Sequence, residues 1–392
     1  MLKNTPKIKI NSKATHRLRT RHPWVWKDEI QLSGSVPESG AVVSVQDSKD
    51  RLAGCAFFNP ISKIALRFLS FEDENIDEGF WRTRLEAALS RRPLYREEGD
   101  LCRLVFSESD GLPGLIVDRY GPVLSVQMLS AGMERLQETI LGILQELVEP
   151  QAILLRNDSP MRVLEGMGAT KEVAFGEPEL PLPLQDGDLK LWVDPWQGQK
   201  TGTYLDQREN QRRLGALAKG RVLDAFCYQG GFALHCAAGA EEVLALDSSA
   251  EALELLTESA ALNQMPNVKS LRANVFDWLK NEAKAQSRSF DLVILDPPAF
   301  AKKREDVKAA TRAYKEINLR GMKLVKPGGL LFTCSCSYNM REDMWKDCLR
   351  EAAADAGRTV HLVESRTQAS DHPISLTFPE SHYLKATLLR VE

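Results

Sequence analysis

Apolar runs of strand length alternate with stretches of helical periodicity through the C-terminal half of the chain, from about residue 220 onward. Such alternation of β and α segments predicts an α/β fold with a doubly wound parallel sheet. The last two strand-like runs, Thr359–Glu364 and Tyr383–Val391, have no helical stretch between them. The pattern therefore predicts that this sheet ends with an antiparallel strand.

The first 187 residues have a different pattern. Short apolar runs at Ala41–Gln46, Gly54–Phe58 and Ile64–Leu69, separated by Gly and Pro, predict a small β-barrel. A helix from Phe80 to Tyr95, three strands and a helix over Gly132–Val148 then predict a small α+β unit. We place the domains at 1–73, 74–187 and 188–392.

The stretch from Gly220 to Ser249 predicts a single βαβ unit with a binding crevice. Its first strand contains Asp224 and stops before the pair Gly230–Gly231, where the backbone can approach a ligand closely. Its second strand ends at Asp247, whose carboxylate can accept two hydrogen bonds from a ribose diol. The glycine spacing differs from Gly-x-Gly-x-x-Gly, and the acid Asp224 would repel a pyrophosphate. The pattern favours an adenosyl ligand with a cationic amino-acid tail over NAD.

Three further strand ends are expected at the same edge of the sheet. Asn274 follows the third strand, and its amide oxygen can accept a hydrogen bond from an adenine amino group. Asp296 opens the segment Asp296-Pro297-Pro298-Ala299-Phe300, in which two prolines fix the backbone. The fifth strand of this domain ends in Thr333-Cys334-Ser335-Cys336-Ser337, where a thiol is placed to act as a nucleophile. Cys334 and Cys336 lie on one side of a regular strand, so the alternation alone does not choose between them.

The composition, 43% apolar and 27% charged, is typical of soluble globular proteins. No apolar run approaches the roughly 20 residues of a membrane span, and the first residues carry no apolar core typical of a secretory signal. Seven irregularly spaced cysteines indicate reduced thiols in a cytoplasm and no metal site.

Charge is distributed unevenly along the chain. Residues 1–71 contain 12 Lys+Arg and 5 Asp+Glu, net +7, so the rest carries −10 of the total −3. Within this basic part, residues 17–30 interleave cations with indole rings, a pattern that suits phosphates and splayed bases. We therefore expect an RNA partner, with these contact residues: Arg17, Arg19, Arg21, His22 and Trp24.

Motifs along nearly the whole chain resemble those of the ribosomal RNA large-subunit methyltransferase I family. They are RLRTRHPWVW, NPISKIALRFL, ESDGLPGLIVDRYG, GQKTGTYLDQR, DAFCYQGGFAL, DPPAF, CSCS and DHPISLTFPESHYLKATLLRV. The resemblance implies an N-terminal PUA domain, a middle α+β domain and a C-terminal Rossmann-like domain that binds S-adenosylmethionine. It also implies methylation of carbon 5 of a cytosine in 23S ribosomal RNA, and a homodimer.

Residue roles follow from the same resemblance. Cys336 matches the catalytic cysteine and Asp296 the acid of the DPP motif. Two departures are that Asn274 stands where related members often have Asp, and that DPPAF lacks a second cysteine. The base that removes the C5 proton is thus unassigned. The full set of expected cofactor contacts is Tyr204, Arg208, Asp224, Phe226, Gly230, Gly231, Asp247, Ser248, Asn274, Val275 and Asp296.

Two other functions are compatible with these residues. In the first, DPPAF holds an exocyclic amine for N-methylation and Cys336 is structural. In the second, the chain is a non-catalytic RNA-binding assembly factor that retains the cofactor. An NAD oxidoreductase is disfavoured by the glycine spacing.

Overall fold

The computed structural model describes residues 5–32, 34–92, 99–285, 287–301 and 303–392, in two compact units. The first unit comprises Met1–Leu184, Asp194–Gly202 and Asp371–Ser381. The second comprises Gln185–Val193, Thr203–Ser370 and His382–Glu392. Each unit is therefore assembled from segments that are distant in sequence.

The first sheet of the first unit has the strand order β2-β6-β5-β4-β1-β3 among the described residues. Its strands are β1 (Lys7–Ile10), β2 (Trp24–Trp26), β3 (Ile30–Gln31), β4 (Val42–Gln46), β5 (Leu52–Phe58) and β6 (Ile64–Ser70). Helix α1 (Ser12–Leu18) begins where the Asn11 side chain accepts a hydrogen bond from the Ala14 amide at 2.9 Å. The three strands predicted here are confirmed within two residues, and their apolar side chains form one core.

A second sheet follows in the same unit, in the order β11-β10-β9-β8-β7 within the described chain. Its strands are β7 (Leu101–Phe106), β8 (Leu115–Tyr120), β9 (Val123–Met128), β10 (Ala152–Leu155) and β11 (Glu172–Phe175). The accompanying helices are α2 (Glu78–Ser90), α3 (Ala131–Glu134) and α4 (Gln137–Val148).

Two helix predictions in this region need comment. The single helix predicted over Gly132–Val148 is wrong, because the structure breaks it after Glu134 and restarts it at Gln137. The helix predicted to reach Tyr95 ends at Ser90, and residues 93–95 lie outside the described residues.

The second unit is built on the sheet β16-β15-β14-β17-β18-β20-β19, again as the described residues form it. Its strands are β14 (Arg221–Ala225), β15 (Glu242–Asp247), β16 (Val268–Arg272), β17 (Phe290–Leu295), β18 (Val325–Ser335), β19 (Val360–Arg366) and β20 (Lys385–Val391). A ribbon of β12 (Leu182–Asp186) and β13 (Leu189–Val193) precedes it. The helices are α5 (Arg208–Gly215), α6 (Gly231–Ala237), α7 (Ala250–Leu262), α8 (Val275–Ala285), α9 (Val307–Leu324) and α10 (Glu342–Ala356).

Strand direction in this sheet follows the prediction. Strands β14 to β18 pair in parallel, whereas β20 pairs antiparallel with both β18 and β19. Apolar clusters cover both faces, as expected for a doubly wound sheet. The turn predicted at Gly328–Gly329 is wrong: the pair lies inside β18, at an irregularity where Phe290 pairs with Val325 and Leu292 with Leu330.

The described residues were compared with two structural features, a membrane-spanning helix and a metal-binding cluster, and contain neither. None of their helices is both long and apolar enough to cross a membrane. They also contain no cluster of three or more His, Cys, Asp or Glu side chains that would hold a metal ion.

The core of the first unit yields a stability prediction. The Phe57 and Trp81 rings stack at 5.7 Å between centroids, and a Cβ at Gly132 would come within 2.1 Å of Phe57. The Phe57 ring fills a closely packed part of the core, so Phe57→Ala would leave a cavity there. It should therefore lower the free energy of unfolding by about 3–5 kcal/mol. Denaturant unfolding followed by tryptophan fluorescence measures it. The control Leu52→Ala, at a residue 47% exposed, should change it by less than about 0.5 kcal/mol. Equal losses for both would contradict the packing described.

Candidate functional site

Asp224 lies on β14 and is fully buried. Its Oδ2 accepts a hydrogen bond from the Ala233 amide of α6 at 2.9 Å. Its Oδ1 accepts none from any described residue. Burial raises the pKa of Asp224 to about 8; the Ala233 amide counters this, and nearby Asp296 and Asp247 add to it. A buried carboxyl with one unsatisfied oxygen is a site prepared for a donor, and a cationic donor suits it best.

The loop between β14 and α6 contains three left-handed residues, Phe226 (φ 68°), Tyr228 (φ 51°) and Gly230 (φ 77°). Such conformations are costly for non-glycine residues and cluster at ligand sites. At Gly230 a Cβ would come within 2.1 Å of the Leu256 side chain, so the packing of α6 against α7 requires glycine. Gly231 is the first residue of α6. The predicted strand, glycine turn and helix are therefore confirmed as structure.

Asp247 ends β15 and holds this loop. Its Oδ2 accepts from the Tyr228 amide at 2.8 Å and its Oδ1 from the Ser249 amide at 3.0 Å. Each carboxylate oxygen has a second lone pair, which leaves room for a hydroxyl donor. Ser248, next in the chain, is exposed, and its carbonyl accepts from Arg272 Nε at 3.2 Å.

Asn274 caps the start of α8. Its Oδ1 accepts from the Phe276 amide at 3.0 Å and the Asp277 amide at 3.3 Å. The oxygen that we expected to face an adenine amino group is thus engaged with the helix, so the adenine contact stays a prediction. Val275 is buried in the core of the unit. Phe226 and Phe276 meet edge to face at 5.7 Å, and Phe276 is 39% exposed.

Asp296 follows β17, and its amide reaches the Ala225 carbonyl at 3.5 Å. It is close enough to Asp224, Cys334 and Tyr204 to influence their titration. Burial first, and then Asp296, raises the pKa of Tyr204 far above its usual range, so that Tyr204 stays protonated. The Tyr204 ring meets Tyr228 edge to face at 5.3 Å. These contacts bring Asp224, Asp296 and the Tyr228 loop together at one end of the sheet.

Arg208 has a structural partner that the sequence did not reveal. Its Nη2 donates to Asp186 Oδ1 at 3.1 Å, and Arg212 Nη2 donates to the same oxygen at 2.7 Å. Although burial opposes it, these two arginines lower the pKa of Asp186. Arg208 is 2% exposed and this ion pair holds its guanidinium in place, while its contact with the cofactor stays a prediction.

The two candidate cysteines are in different environments. Cys334 is fully buried in β18, and its Sγ accepts from Gln207 Nε2 at 3.4 Å. Burial raises the pKa of the Cys334 thiol well above its ordinary value, and Asp296 reinforces this. Cys336 lies beyond the last residue of β18 and is partly exposed, with its Sγ 4.0 Å from the Pro297 carbonyl oxygen. Of the seven cysteines, all in the described part of the chain, the other six are buried.

Sequence reasoning missed the polar groups around Cys336. The Ser337 hydroxyl lies 2.9 Å from the Tyr314 hydroxyl and accepts from the Ala301 amide at 3.0 Å. Lys385 Nζ donates to the Ser337 carbonyl at 2.8 Å. No local signal in the sequence distinguished Lys385, since the same strand also contains the cation Arg390.

In the first unit, three predicted RNA contacts are engaged with the protein itself. The Arg17 guanidinium donates to both oxygens of Glu29, at 2.9 and 2.5 Å. His22 Nε2 lies 3.1 Å from Glu380 Oε2, and His22 is buried. Trp24 donates through Nε1 to Glu108 at 2.7 Å.

The other two predicted RNA contacts are exposed. The Arg21 guanidinium lies over the Phe71 ring at 5.5 Å, and Arg19 forms the C-terminal cap of α1. Exposed arginines of this kind are available to phosphates, whereas Arg17, His22 and Trp24 hold the unit together.

Comparison with protein families gives two matches. Residues 8–71 match a PUA-like domain, and residues 167–390 match an S-adenosylmethionine-dependent methyltransferase family. Several relatives align over nearly the whole chain. A Ribosomal RNA large subunit methyltransferase I from Shewanella denitrificans is 39% identical over 98% of this chain and 99% of its own length. One from Tolumonas auensis is 38% identical over 95% and 96%.

Solved structures agree on the fold. A crystal structure of SMU.776 complexed with SAH has a TM-score of 0.84, covering 98% of this chain and 100% of that one at 17% identity. An S-adenosylmethionine-dependent methyltransferase structure from Streptococcus mutans has a TM-score of 0.82 at the same coverage and identity.

The observed residues fit S-adenosylmethionine as the cofactor. The unsatisfied Asp224 Oδ1 suits the cationic amino-acid end, and the Asp247 carboxylate suits the ribose hydroxyls. The partly exposed Phe276 beside Phe226 offers an apolar surface for a base. A pyrophosphate would meet an acidic side chain at both places, so this site disfavours NAD.

The substitution Asp224→Asn should change stability and cofactor affinity in opposite directions. The folded protein holds Asp224 protonated up to about pH 8, so folding takes up a proton and stability falls as pH rises from the acid range toward 8. Asparagine removes this dependence. The gain in melting temperature of Asp224→Asn over wild type should therefore be larger at pH 8 than at pH 5.

The same variant should bind S-adenosylmethionine about tenfold more weakly or worse, since it lacks the anionic acceptor. Thermal melts at both pH values and calorimetry measure the two effects. Asp347→Asn, at an exposed residue of α10, should change neither. Unchanged affinity together with a loss of stability would contradict the role given to Asp224.

Proposed function

The chain belongs to the ribosomal RNA large subunit methyltransferase I family, and from that premise we propose that it methylates carbon 5 of a cytosine in 23S ribosomal RNA. S-adenosylmethionine supplies the methyl group as an electrophile on a sulfonium. Carbon 5 of cytosine is a poor nucleophile, so the enzyme must first activate the ring. A thiol that adds to carbon 6 does this.

The observation that carries the proposal is the contrast between Cys336 and Cys334. Cys336 is the one partly exposed cysteine of the seven and lies beside the backbone of Pro297, in the segment that opens with Asp296. Cys334 is sealed in the core and has a raised pKa. A nucleophile needs access and an ionisable thiol, and Cys336 has the access that Cys334 lacks.

The proposed steps use the residues at this end of the sheet. The Cys336 thiolate forms a bond to carbon 6, and negative charge develops on the pyrimidine ring. The carboxyl group of Asp296, donating its proton in a hydrogen bond to the pyrimidine edge, stabilises this charge. Carbon 5 then takes the methyl group. Loss of the C5 proton and cleavage of the S–C6 bond release the product and restore the thiolate.

The fully buried position of Asp224 separates its role from that of Asp296. Asp224 faces the cofactor loop and is bound to the Ala233 amide, so its role is to hold the cofactor. Asp296 is partly exposed at the end of β17 and is therefore available to a base. The target base must leave any stack to reach Cys336, so we expect a flexible or single-stranded RNA site.

Two further features belong to the proposal. No disulfide joins any of the seven cysteines, all of which the structure describes, and this supports a reducing cytoplasmic setting. A homodimer, implied by the family resemblance, remains a prediction.

Cys336→Ala should abolish 5-methylcytosine formation and leave S-adenosylmethionine affinity nearly unchanged, because the thiol acts on RNA and not on the cofactor. Cys334→Ala is the matched control: it should keep most activity and lose some stability, since it removes a buried side chain. Nucleoside mass spectrometry of protein-free 23S ribosomal RNA after reaction measures the product.

A substrate RNA with 5-fluorocytosine tests the covalent step directly. Fluorine cannot leave as a proton, so wild type and Cys334→Ala should form an adduct that survives denaturing electrophoresis, and Cys336→Ala should not. An adduct that needs Cys334 and not Cys336 would reverse the assignment. Methylation that needs neither thiol, with the methyl group on an exocyclic amine, would establish N-methylation instead.

For the RNA partner, Arg19→Ser should weaken RNA binding and reduce the slope of log affinity against log salt by about one, because it removes one phosphate contact. Fluorescence anisotropy at several salt concentrations measures both. Arg350→Ser, at an exposed residue of α10, is the control and should leave affinity and slope unchanged. An unaltered slope for Arg19→Ser would remove this arginine from the RNA-binding surface.

A further inference from the structure

Lys385 is a lysine in the interior of the second unit. It is the first residue of β20 and only 7% exposed. In the antiparallel pairing of β20 with β18, Lys385 stands opposite Ser335, and Ala386 stands opposite Cys334. Lysine is rarely buried, because its ammonium loses hydration that hydrogen bonds only partly replace. Its position therefore calls for a reason.

The hydrogen bonds of Lys385 place its ammonium beside Cys336. Nζ donates to the Ser337 carbonyl at 2.8 Å and to the Tyr383 carbonyl at 2.8 Å. The backbone of Lys385 thus pairs with the residue before Cys336, while its side chain bonds to the residue after it. Both acceptors are neutral carbonyls, which orient the ammonium without neutralising it.

The charges around this lysine are few and mostly acidic. Burial lowers the pKa of Lys385 to about 8, and Cys336 and Glu342 act in the opposite direction. At neutral pH the ammonium form therefore still predominates. Glu342, at the start of α10, is exposed to solvent, which screens its charge.

Several described groups that face Cys336 from other elements are phenol, thiol or carboxyl groups. Tyr204 lies before α5 and Tyr314 on α9, and both sense the charge of Cys336. Cys334 on β18 does so too, and Asp296 after β17 lies close to Cys334. A thiolate at Cys336 thus has acidic or neutral neighbours on these sides and a buried ammonium on the β20 side.

We propose that Lys385 is a positioning residue that holds a buried positive charge against Cys336 and stabilises its thiolate before RNA binds. The inference rests on the proposed function, in which Cys336 attacks the cytosine. The thiol proton leaves to solvent, the Lys385 ammonium keeps its three protons, and the sulfur lone pair is free to form the bond to carbon 6. When the S–C6 bond breaks at the end of the cycle, the returning thiolate meets the same ammonium.

The test follows the alkylation of Cys336 by iodoacetamide from pH 6 to 10, read by mass spectrometry of the peptide that contains it, in the full-length protein without RNA. Lys385→Met should raise the midpoint of the rate profile by about one pH unit and slow alkylation at pH 7 roughly tenfold. Lys385→Arg, which keeps the charge, should stay near the wild-type midpoint. Lys326→Met is the matched control on β18, where Lys326 pairs with Asp291 at 2.7 Å; it should not move the midpoint.

The outcomes separate the two proposals. An unchanged midpoint in Lys385→Met that still binds S-adenosylmethionine would overturn the role of Lys385, whatever Cys336 does. Normal methylation by Cys336→Ala would overturn the covalent mechanism. If Lys385→Met fails to bind cofactor, the proposal is tested on the wild-type protein alone. The pH midpoint for alkylation of Cys336 must then be lower in the folded protein than in the protein unfolded by guanidinium. An equal or higher midpoint in the folded protein overturns the proposal.

Discussion

The burial of one acid beside two others at one end of a parallel sheet is the constraint on which the site depends. Asp224 lies near the end of β14, Asp247 ends β15 and Asp296 follows β17. Burial raises the pKa of Asp224, and Asp296 and Asp247 add to this. Parallel strands necessarily bring their carboxyl ends to one edge, so this clustering follows from topology. The backbone amides of Ala233, Tyr228 and Ser249 donate hydrogen bonds to Asp224 and Asp247. A cationic cofactor would be favoured beside these acids, whereas an anionic ligand would be disfavoured.

The point at which β18 ends gives two chemically identical side chains different environments. Cys334 and Cys336 share a side in a regular strand, but β18 ends at Ser335, so the alternation stops applying one residue before Cys336. The chain turns there, and the Ser337 hydroxyl is fixed by Tyr314 and by the Ala301 amide. One thiol remains in the core and the other reaches the edge of the sheet.

The sequence predicted those features that depend on residues close to one another in the chain. The order of strands and helices from β14 to α10, including the antiparallel final strand, followed from periodicity, and the acids at strand ends followed from the βα pattern. Long-range partners did not: the pairing of Arg208 with Asp186 joins residues 22 apart, and that of Trp24 with Glu108 joins residues 84 apart. Arg17, His22 and Trp24 have such partners within the protein, and their contact with RNA stays a prediction. Lys385 was missed for the same reason, since one of its two carbonyl acceptors, that of Ser337, lies 48 residues away in sequence.

The segment Asp371–Ser381 affects when the first unit can finish folding during synthesis. It belongs to the first unit, where Phe378 meets Trp24 edge to face at 4.6 Å and Glu380 meets His22. Asp371 also accepts from the Arg103 amide at 2.9 Å. A ribosome makes the N-terminal residues first, and domains commonly fold as they emerge. Here Trp24 and His22 must wait for partners made some 350 residues later, so the first unit cannot complete its packing until nearly all of these residues have been synthesised.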